Sequence, residues 1–163
     1  DAVVLDPVTV PSHHGPDVLS VLPHISITTM AMIVPTTMMH MHTTQMNTKK
    51  PVSRDRVIEL INKHPRLGLI KKSAGIKSTA ELKEFAMDLG RQRSDLWENC
   101  IFEESIYASK NELCFFQAIH QEADVVVENI DAIRAMMGGE QDAAKSIAAT
   151  NAALHFTTIQ NNH

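Results

Sequence analysis

The sequence predicts an α+β fold, with a mostly antiparallel or mixed sheet that is covered on one face by helices and with C-terminal helices after it. Three observations support this prediction. Strand-like runs dominate the first fifty residues, further strand-like runs follow residue 96, and apolar residues at helical spacing separate and follow them. With 163 residues and 44% hydrophobic content, the chain can bury one sizeable core.

The first fifty residues are expected to form three strands and one short helix. The strands are predicted at residues 3–5, 25–34 and 38–46, where alternating or continuous apolar residues are typical of β structure. Between the first two, Gly15-Pro16-Asp17 predicts the start of a helix, because Pro suits the first turn and the helix dipole favours Asp there.

Two helices are predicted in the middle of the chain. Ser53 is a candidate N-cap for the first, which is expected to run to His64 and to stop before proline. Ser78 and Glu81 form a capping-box pattern for the second, which Gly90 is expected to end.

The second half is expected to return to strands and then to finish in helices. The predicted strands cover 96–102, 105–108 and 113–119, and a hairpin at 109–112 joins the last two. The predicted C-terminal elements are a helix over 123–137 with Val126, Ile130, Ile133 and Met137 on one face, an Ala-rich helix over 141–154, and a polar, frayed tail over 157–163.

Charge and composition argue against several classes of partner. A net charge of -4 and a pI near 6.1 disfavour binding to nucleic acid or to an anionic membrane surface. No apolar run approaches the roughly 20 residues that a membrane-spanning helix needs. Cys100 and Cys114 lack paired spacing, which favours buried thiols in a reducing compartment, and a cytoplasmic location is expected.

Two nearby histidines on a predicted strand form the first candidate site. His40 and His42 are two residues apart, so their side chains are expected on one face of the strand. The spacing alone allows an ordinary half-buried strand, a pocket with two imidazoles, or a His-x-His metal site to which nearby methionines could contribute.

The second candidate site is the segment PSHHGPD at residues 11–17. His14 and Gly15 precede or open a helix, where unpaired backbone N–H groups favour a phosphate, although a simple turn with a helix cap would give the same pattern. Gln121, at a strand-to-helix junction, would ordinarily be a surface amide.

These segments together resemble the catalytic half of archaeal-type phosphorylating glyceraldehyde-3-phosphate dehydrogenase. The resemblance reaches roughly residue 147 and rests on PSHHGPD at 11–17, PTTMMHMH at 35–42, GIKSTAEL at 75–82, DLGR at 88–91, EES at 103–105 and HQE at 120–122. It implies a partial catalytic domain over 1–122, a C-terminal helical segment and tail over 123–163, and a nucleotide-binding domain and nucleophilic cysteine that lie outside the 163 residues.

The resemblance also implies a role for each candidate residue. His40 matches the catalytic base, with His42 as the runner-up; His14 and Gly15 match contacts to the substrate phosphate; and Gln121 matches the residue that meets the nicotinamide carboxamide. Neither cysteine matches a catalytic thiol, and no metal is implied.

The implied reaction is a step of glycolysis and gluconeogenesis. It converts glyceraldehyde 3-phosphate, inorganic phosphate and NAD or NADP to 1,3-bisphosphoglycerate and the reduced cofactor, in a full-length protein expected to be a homotetramer. The alternative is a non-enzymatic His/Met-rich metal-binding module.

Overall fold

The computed structural model describes residues 2–36, 38–156 and 159. Contacts divide the chain into two compact units, Asp1–Thr37 and Met38–His163. In the described residues, no helix is long and apolar enough to cross a bilayer.

The first unit is a loop-rich segment with little regular structure. It contains β1 (Val4–Leu5), α1 (His14–Val21) and β2 (Met32–Ile33), and the two strands pair antiparallel. The predicted strand over 25–34 is therefore wrong in length, since only two of its residues belong to a ladder. The opposing segment, residues 6–12, contains Pro7 and Pro11, which have no N–H to donate to a ladder.

The second unit is built around a five-stranded sheet. Its strands are β3 (His40–Asn47), β4 (Leu67–Ile70), β5 (Asn99–Phe102), β6 (Tyr107–Ser109) and β7 (Glu112–Ile119). Its helices are α2 (Arg54–Lys63), α3 (Thr79–Asp88), α4 (Gln121–Met136) and α5 (Ala143–Ala153).

The sheet is mixed, as the sequence predicted. Its order is β3-β7-β5-β4, with β6 also paired to β7. Only β4 and β5 are parallel, and the other pairs are antiparallel. The predicted hairpin is confirmed, because Ser109 pairs with Glu112 and Lys110 takes the left-handed conformation that a two-residue loop requires.

Helices cover both faces of the sheet, whereas the sequence predicted cover on one. Leu69 and Ile101 pack with α2, while Ile70 and Cys100, their neighbours along the strands, pack with α3. Successive strand residues point to opposite faces, so β4 and β5 are buried on both sides, as is usual for parallel strands.

The predicted starts of α2 and α3 are confirmed by their caps. The Ser53 hydroxyl accepts a hydrogen bond from the N–H of Arg56, and the Ser78 hydroxyl accepts one from the N–H of Glu81, both at 3.2 Å. The Glu81 carboxylate in turn accepts from the N–H of Lys77 at 2.7 Å. These bonds satisfy backbone donors that a helix start otherwise leaves unpaired.

The end of the chain differs from the expected frayed tail at one described residue. Ile159 is buried in the cluster that contains α3, and its N–H donates to the Glu98 carboxylate at 3.0 Å. The same carboxylate receives two hydrogen bonds from Arg91, at 2.7 and 2.8 Å. The rest of the predicted tail, 157, 158 and 160–163, lies outside the described residues.

Candidate functional site

The turn before α1 is held by a small network of hydroxyl groups. The buried Ser12 hydroxyl lies 3.1 Å from Nδ1 of His14 and 2.8 Å from the hydroxyl of Thr29. The Thr29 hydroxyl also accepts a hydrogen bond from the N–H of Gly15 at 2.9 Å. His14 itself is exposed, so its ring is tied to the turn through Nδ1 while it remains open to solvent.

Two backbone donors of this helix start, the N–H groups of Gly15 and Asp17, are already used. Besides the bond from Gly15 to Thr29, the N–H of Asp17 donates to the carbonyl of His13 at 3.2 Å, and Pro16 has no N–H. Glycine fits closely here, because a Cβ at residue 15 would lie 3.2 Å from the Thr29 hydroxyl oxygen, which is tighter than an ordinary van der Waals contact. The structure thus shifts the chemistry suited to an anion from the backbone to the exposed ring of His14, whose role stays a prediction.

His40 and His42 lie on β3 in the second unit. His40 pairs with Ile119 and His42 with Gln117 across the β3–β7 ladder. Nδ1 of His42 lies 3.3 Å from the Gln117 side-chain nitrogen, so an amide on the neighbouring strand already contacts this ring. Both histidines are exposed, and the period of a strand places them on the same face, as expected.

Gln121 is brought to the same end of the β3–β7 pair as His40. It is the first residue of α4 and follows Ile119, the ladder partner of His40, by two positions. Its side chain is exposed. The register of the ladder therefore brings two candidate residues, which are 81 positions apart in the sequence, to the same end of the strand pair.

Sequence reasoning overlooked His120, the buried residue that lies between Ile119 and Gln121 in the chain. Its Nδ1 accepts a hydrogen bond from the N–H of Leu96 at 3.2 Å, and its Nε2 lies 3.2 Å from Nζ of Lys83. Burial, reinforced by the positive charge of Lys83, lowers the pKa of His120. A neutral His120 thus links the start of α4 to the loop before β5.

Asp124, in the first turn of α4, was also overlooked. One of its carboxylate oxygens is buried without a hydrogen-bond partner among the described residues. Burial raises the pKa of this carboxyl, while a hydrogen bond from the backbone N–H of Val125 opposes that shift. The only sequence signal was an acidic residue in the first helical turn, which is common and carries no information about its burial.

Of the two cysteines, Cys100 lacks the environment of a reactive thiol. Cys100 is fully buried, and burial raises the pKa of its thiol. Cys114 is half-buried on β7 rather than fully buried as expected. Neither is in a disulfide.

The described residues contain no group of three or more His, Cys, Asp or Glu side chains placed to hold a metal ion. The metal-binding alternative therefore gains no support from a group of this kind. A cavity of about 370 Å³ lies elsewhere on the sheet, between Met41, Ile76, Phe102 and Phe116, and none of the predicted site residues lines it.

The chain is similar in sequence to a known family model and to known proteins. The family model for the glyceraldehyde 3-phosphate dehydrogenase C-terminal domain matches residues 2–95. The glyceraldehyde-3-phosphate dehydrogenase of Methanoregula boonei is 80% identical over 163 residues, which is 100% of this chain and 48% of that relative. Glyceraldehyde-3-phosphate dehydrogenases 2 and 1 of Methanosarcina barkeri are 56% and 53% identical over 154 residues, 94% of this chain and 45% of each relative. The chain spans about half the length of the curated relatives it matches.

Proposed function

The chain belongs to the family of glyceraldehyde 3-phosphate dehydrogenase C-terminal domains, and on that premise we propose that it is the catalytic portion of an archaeal-type phosphorylating glyceraldehyde-3-phosphate dehydrogenase. In the proposed reaction, the aldehyde of glyceraldehyde 3-phosphate is oxidised to a thioester on a cysteine outside the 163 residues. Inorganic phosphate then takes the acyl group to give 1,3-bisphosphoglycerate.

His40 is the proposed base of the oxidation step. It removes the hydroxyl proton of the hemithioacetal as hydride leaves the same carbon, a role suited to imidazole because it ordinarily titrates near neutral pH. Its exposed position at the end of β3 leaves the ring open to a substrate. His42 is the less favoured choice, because its ring already contacts Gln117.

Gln121 is the proposed contact for the nicotinamide carboxamide. A side-chain amide offers both a donor and an acceptor, so it can pair with another amide in both directions. The exposed amide on the first turn of α4 fits this contact. Bound NAD or NADP would supply the hydride acceptor, and the choice between them depends on residues outside this chain.

His14 and Gly15 are the proposed site for the substrate phosphate. The exposed imidazole of His14 can donate a hydrogen bond to a phosphate oxygen. The N–H of Gly15 holds the turn through its hydrogen bond to the Thr29 hydroxyl. In this proposal, residues 1–122 are part of the catalytic domain and residues 123–163 a C-terminal helical segment. The full-length protein is a cytoplasmic homotetramer.

One observation carries the proposal, namely that His40 and Gln121 lie at the same end of the β3–β7 pair in a chain of this family. The test is the full-length protein, assayed for reduction of NAD and of NADP with glyceraldehyde 3-phosphate. We expect reduction that depends on inorganic phosphate or its analogue arsenate. Absence of reduction with both cofactors, in a folded protein, would contradict the proposal.

A further inference from the structure

The hydroxyl network beneath His14 contains two residues that the proposed mechanism does not yet use. Ser12 is 1% exposed, although serine is usually found at the surface. Its backbone is joined to Thr29 as well, because the N–H of Ser12 donates to the carbonyl of Thr29 at 2.8 Å. Burial of a hydroxyl costs free energy unless the hydroxyl is hydrogen-bonded. We therefore expect each hydroxyl of this network to have a definite donor and a definite acceptor.

The shortest contacts form one continuous chain of donors. The N–H of Gly15 can only donate, so the Thr29 oxygen accepts at 2.9 Å. The Thr29 hydroxyl can then donate to Ser12 at 2.8 Å, and the Ser12 hydroxyl to Nδ1 of His14 at 3.1 Å. Every hydroxyl is used once as donor and once as acceptor, and a neutral His14 that accepts at Nδ1 must carry its proton on Nε2.

The opposite direction suits a charged His14. Nδ1 then donates to Ser12, Ser12 donates to Thr29, and the Thr29 hydroxyl turns to the Ser12 carbonyl, which lies 3.3 Å away. Nε2 carries a proton in this arrangement also. The first direction with a neutral ring, and the opposite direction with a charged ring, therefore leave Nε2 of His14 as a donor, which is what a phosphate oxygen requires. A neutral ring that carries its proton on Nδ1 would lack this donor.

We propose that Ser12 and Thr29 are positioning residues for the phosphate site, and that their hydroxyl chain holds His14 by Nδ1 so that its Nε2–H is presented to the phosphate of the substrate. This inference rests on the proposed function. The donor in this proposal is the imidazole, because the N–H groups of Gly15 and Asp17 at the helix N-terminus are already paired.

The test uses the full-length enzyme with Thr29→Val and Thr29→Ser as a matched pair. Valine keeps the shape and removes the hydroxyl, whereas serine keeps the hydroxyl. Thr29→Val should raise the Michaelis constant for glyceraldehyde 3-phosphate about 3- to 10-fold, the usual worth of one hydrogen bond, with kcat nearly unchanged. Thr29→Ser should stay near wild type, and the constant for unphosphorylated glyceraldehyde should stay the same in both.

A double-mutant cycle shows whether Ser12 acts through His14. Ser12→Ala should raise the same constant to a similar extent in the wild type, and should add nothing in a His14→Ala background. Ser20→Ala is the control, because its hydroxyl lies on the exposed side of α1 and donates only to the Asp17 carbonyl.

Two results would overturn the inference while the enzyme remains active. One is an equal loss for phosphorylated and unphosphorylated substrate, and the other is a Ser12→Ala effect that persists undiminished without His14. Should Ser12→Ala fail to fold, the Thr29 pair decides alone. A wild-type enzyme without dehydrogenase activity would instead remove the proposed function, and this inference with it.

Discussion

The two units of the chain place their candidate histidines by different means. In the second unit, His40 lies on an eight-residue strand whose every residue pairs with β7, and the sheet beneath it carries two apolar clusters. In the first unit, His14 follows a loop, and the only buried residues among those described are Ser12 and Gly15. The first unit also exposes large apolar side chains, including Val8, Val21 and Met30.

This difference shows which interactions each position depends on. Backbone hydrogen bonds and core packing are shared among many residues, so His40 should tolerate the loss of any one neighbouring side chain. The turn at His14 has one backbone bond between Ser12 and Thr29, and the other contacts between these segments use the hydroxyls of Ser12 and Thr29, so removal of a single hydroxyl should be felt there.

The largest effect concerns the 163-residue chain on its own. Besides the first unit, α4 exposes Val126, Ile133 and Met136. Covering a few hundred Å² of apolar surface is worth several kcal/mol at about 25 cal/mol per Å², comparable with a domain's whole stability of about 5–15 kcal/mol. We expect concentration-dependent self-association in sedimentation velocity. A monodisperse monomer with cooperative unfolding would contradict this.

The next effect is chemical. In the full-length protein, His40→Asn should slow hydride transfer by roughly 10² to 10⁴, the usual contribution of general-base catalysis. His42→Asn is the matched control and should matter much less. Single-turnover measurements of cofactor reduction provide the comparison, and a reversed order of the two variants would exchange their roles.

A buried ion pair in the second unit should respond strongly to loss of one charge. Glu98 is fully buried and receives two hydrogen bonds from Arg91. Glu98→Gln leaves the Arg91 charge without its partner and should lower the free energy of unfolding by about 3–5 kcal/mol. Denaturant unfolding measures this loss, and Glu59→Gln, in an exposed pair with Arg56, should change little. Equal losses in both variants would show that burial of the pair is not what matters.

Loss of the phosphate contact should be smaller and selective. His14→Ala should raise the Michaelis constant for glyceraldehyde 3-phosphate by roughly 10- to 100-fold, as expected for a hydrogen bond to a charged group. Unphosphorylated glyceraldehyde should be affected far less, because it lacks the phosphate. Steady-state kinetics with both substrates distinguish this from a general disturbance of the turn, which would impair both alike.

The smallest effect is a pH dependence of the α4 junction. The pKa of His120 is lowered from its ordinary 6.5, so the folded state favours the neutral ring and binds fewer protons than the unfolded state. The contribution of the neutral His120 ring to the free energy of unfolding is therefore complete above pH 6.5, and it is lost as the pH falls below that value. Burial and then the charge of Lys83 lower this pKa, while Glu122, Asp95 and Asp124 oppose the shift.

Amide hydrogen exchange in the full-length protein can detect this loss. Protection of the Leu96 amide, corrected for the intrinsic rate at each pH, should fall between pH 7 and pH 5. His120→Asn offers an oxygen near the position of Nδ1 without a titrating ring, so protection should become independent of pH over this range. A decline of the same slope in the variant would assign the effect to other groups.

Sequence reasoning was most successful where the signal is local. The capping residues Ser53 and Ser78, the hairpin at Lys110 and the mixed sheet were all predictable, because caps, tight turns and strand periodicity involve residues close in sequence. The family was also recognisable from short motifs, and the match over residues 2–95 confirms it.

The tertiary structure decided the rest, because it depends on contacts between distant residues. Ser12 and Thr29 are 17 positions apart, His120 and Leu96 are 24, and Glu98 and Ile159 are 61. No local pattern marks such partners, since the same serine, histidine or glutamate would be ordinary on a surface. Thus local patterns in the sequence were enough for most of the elements and for the family, while folding determined which polar groups are buried together and which histidine nitrogens remain available for chemistry.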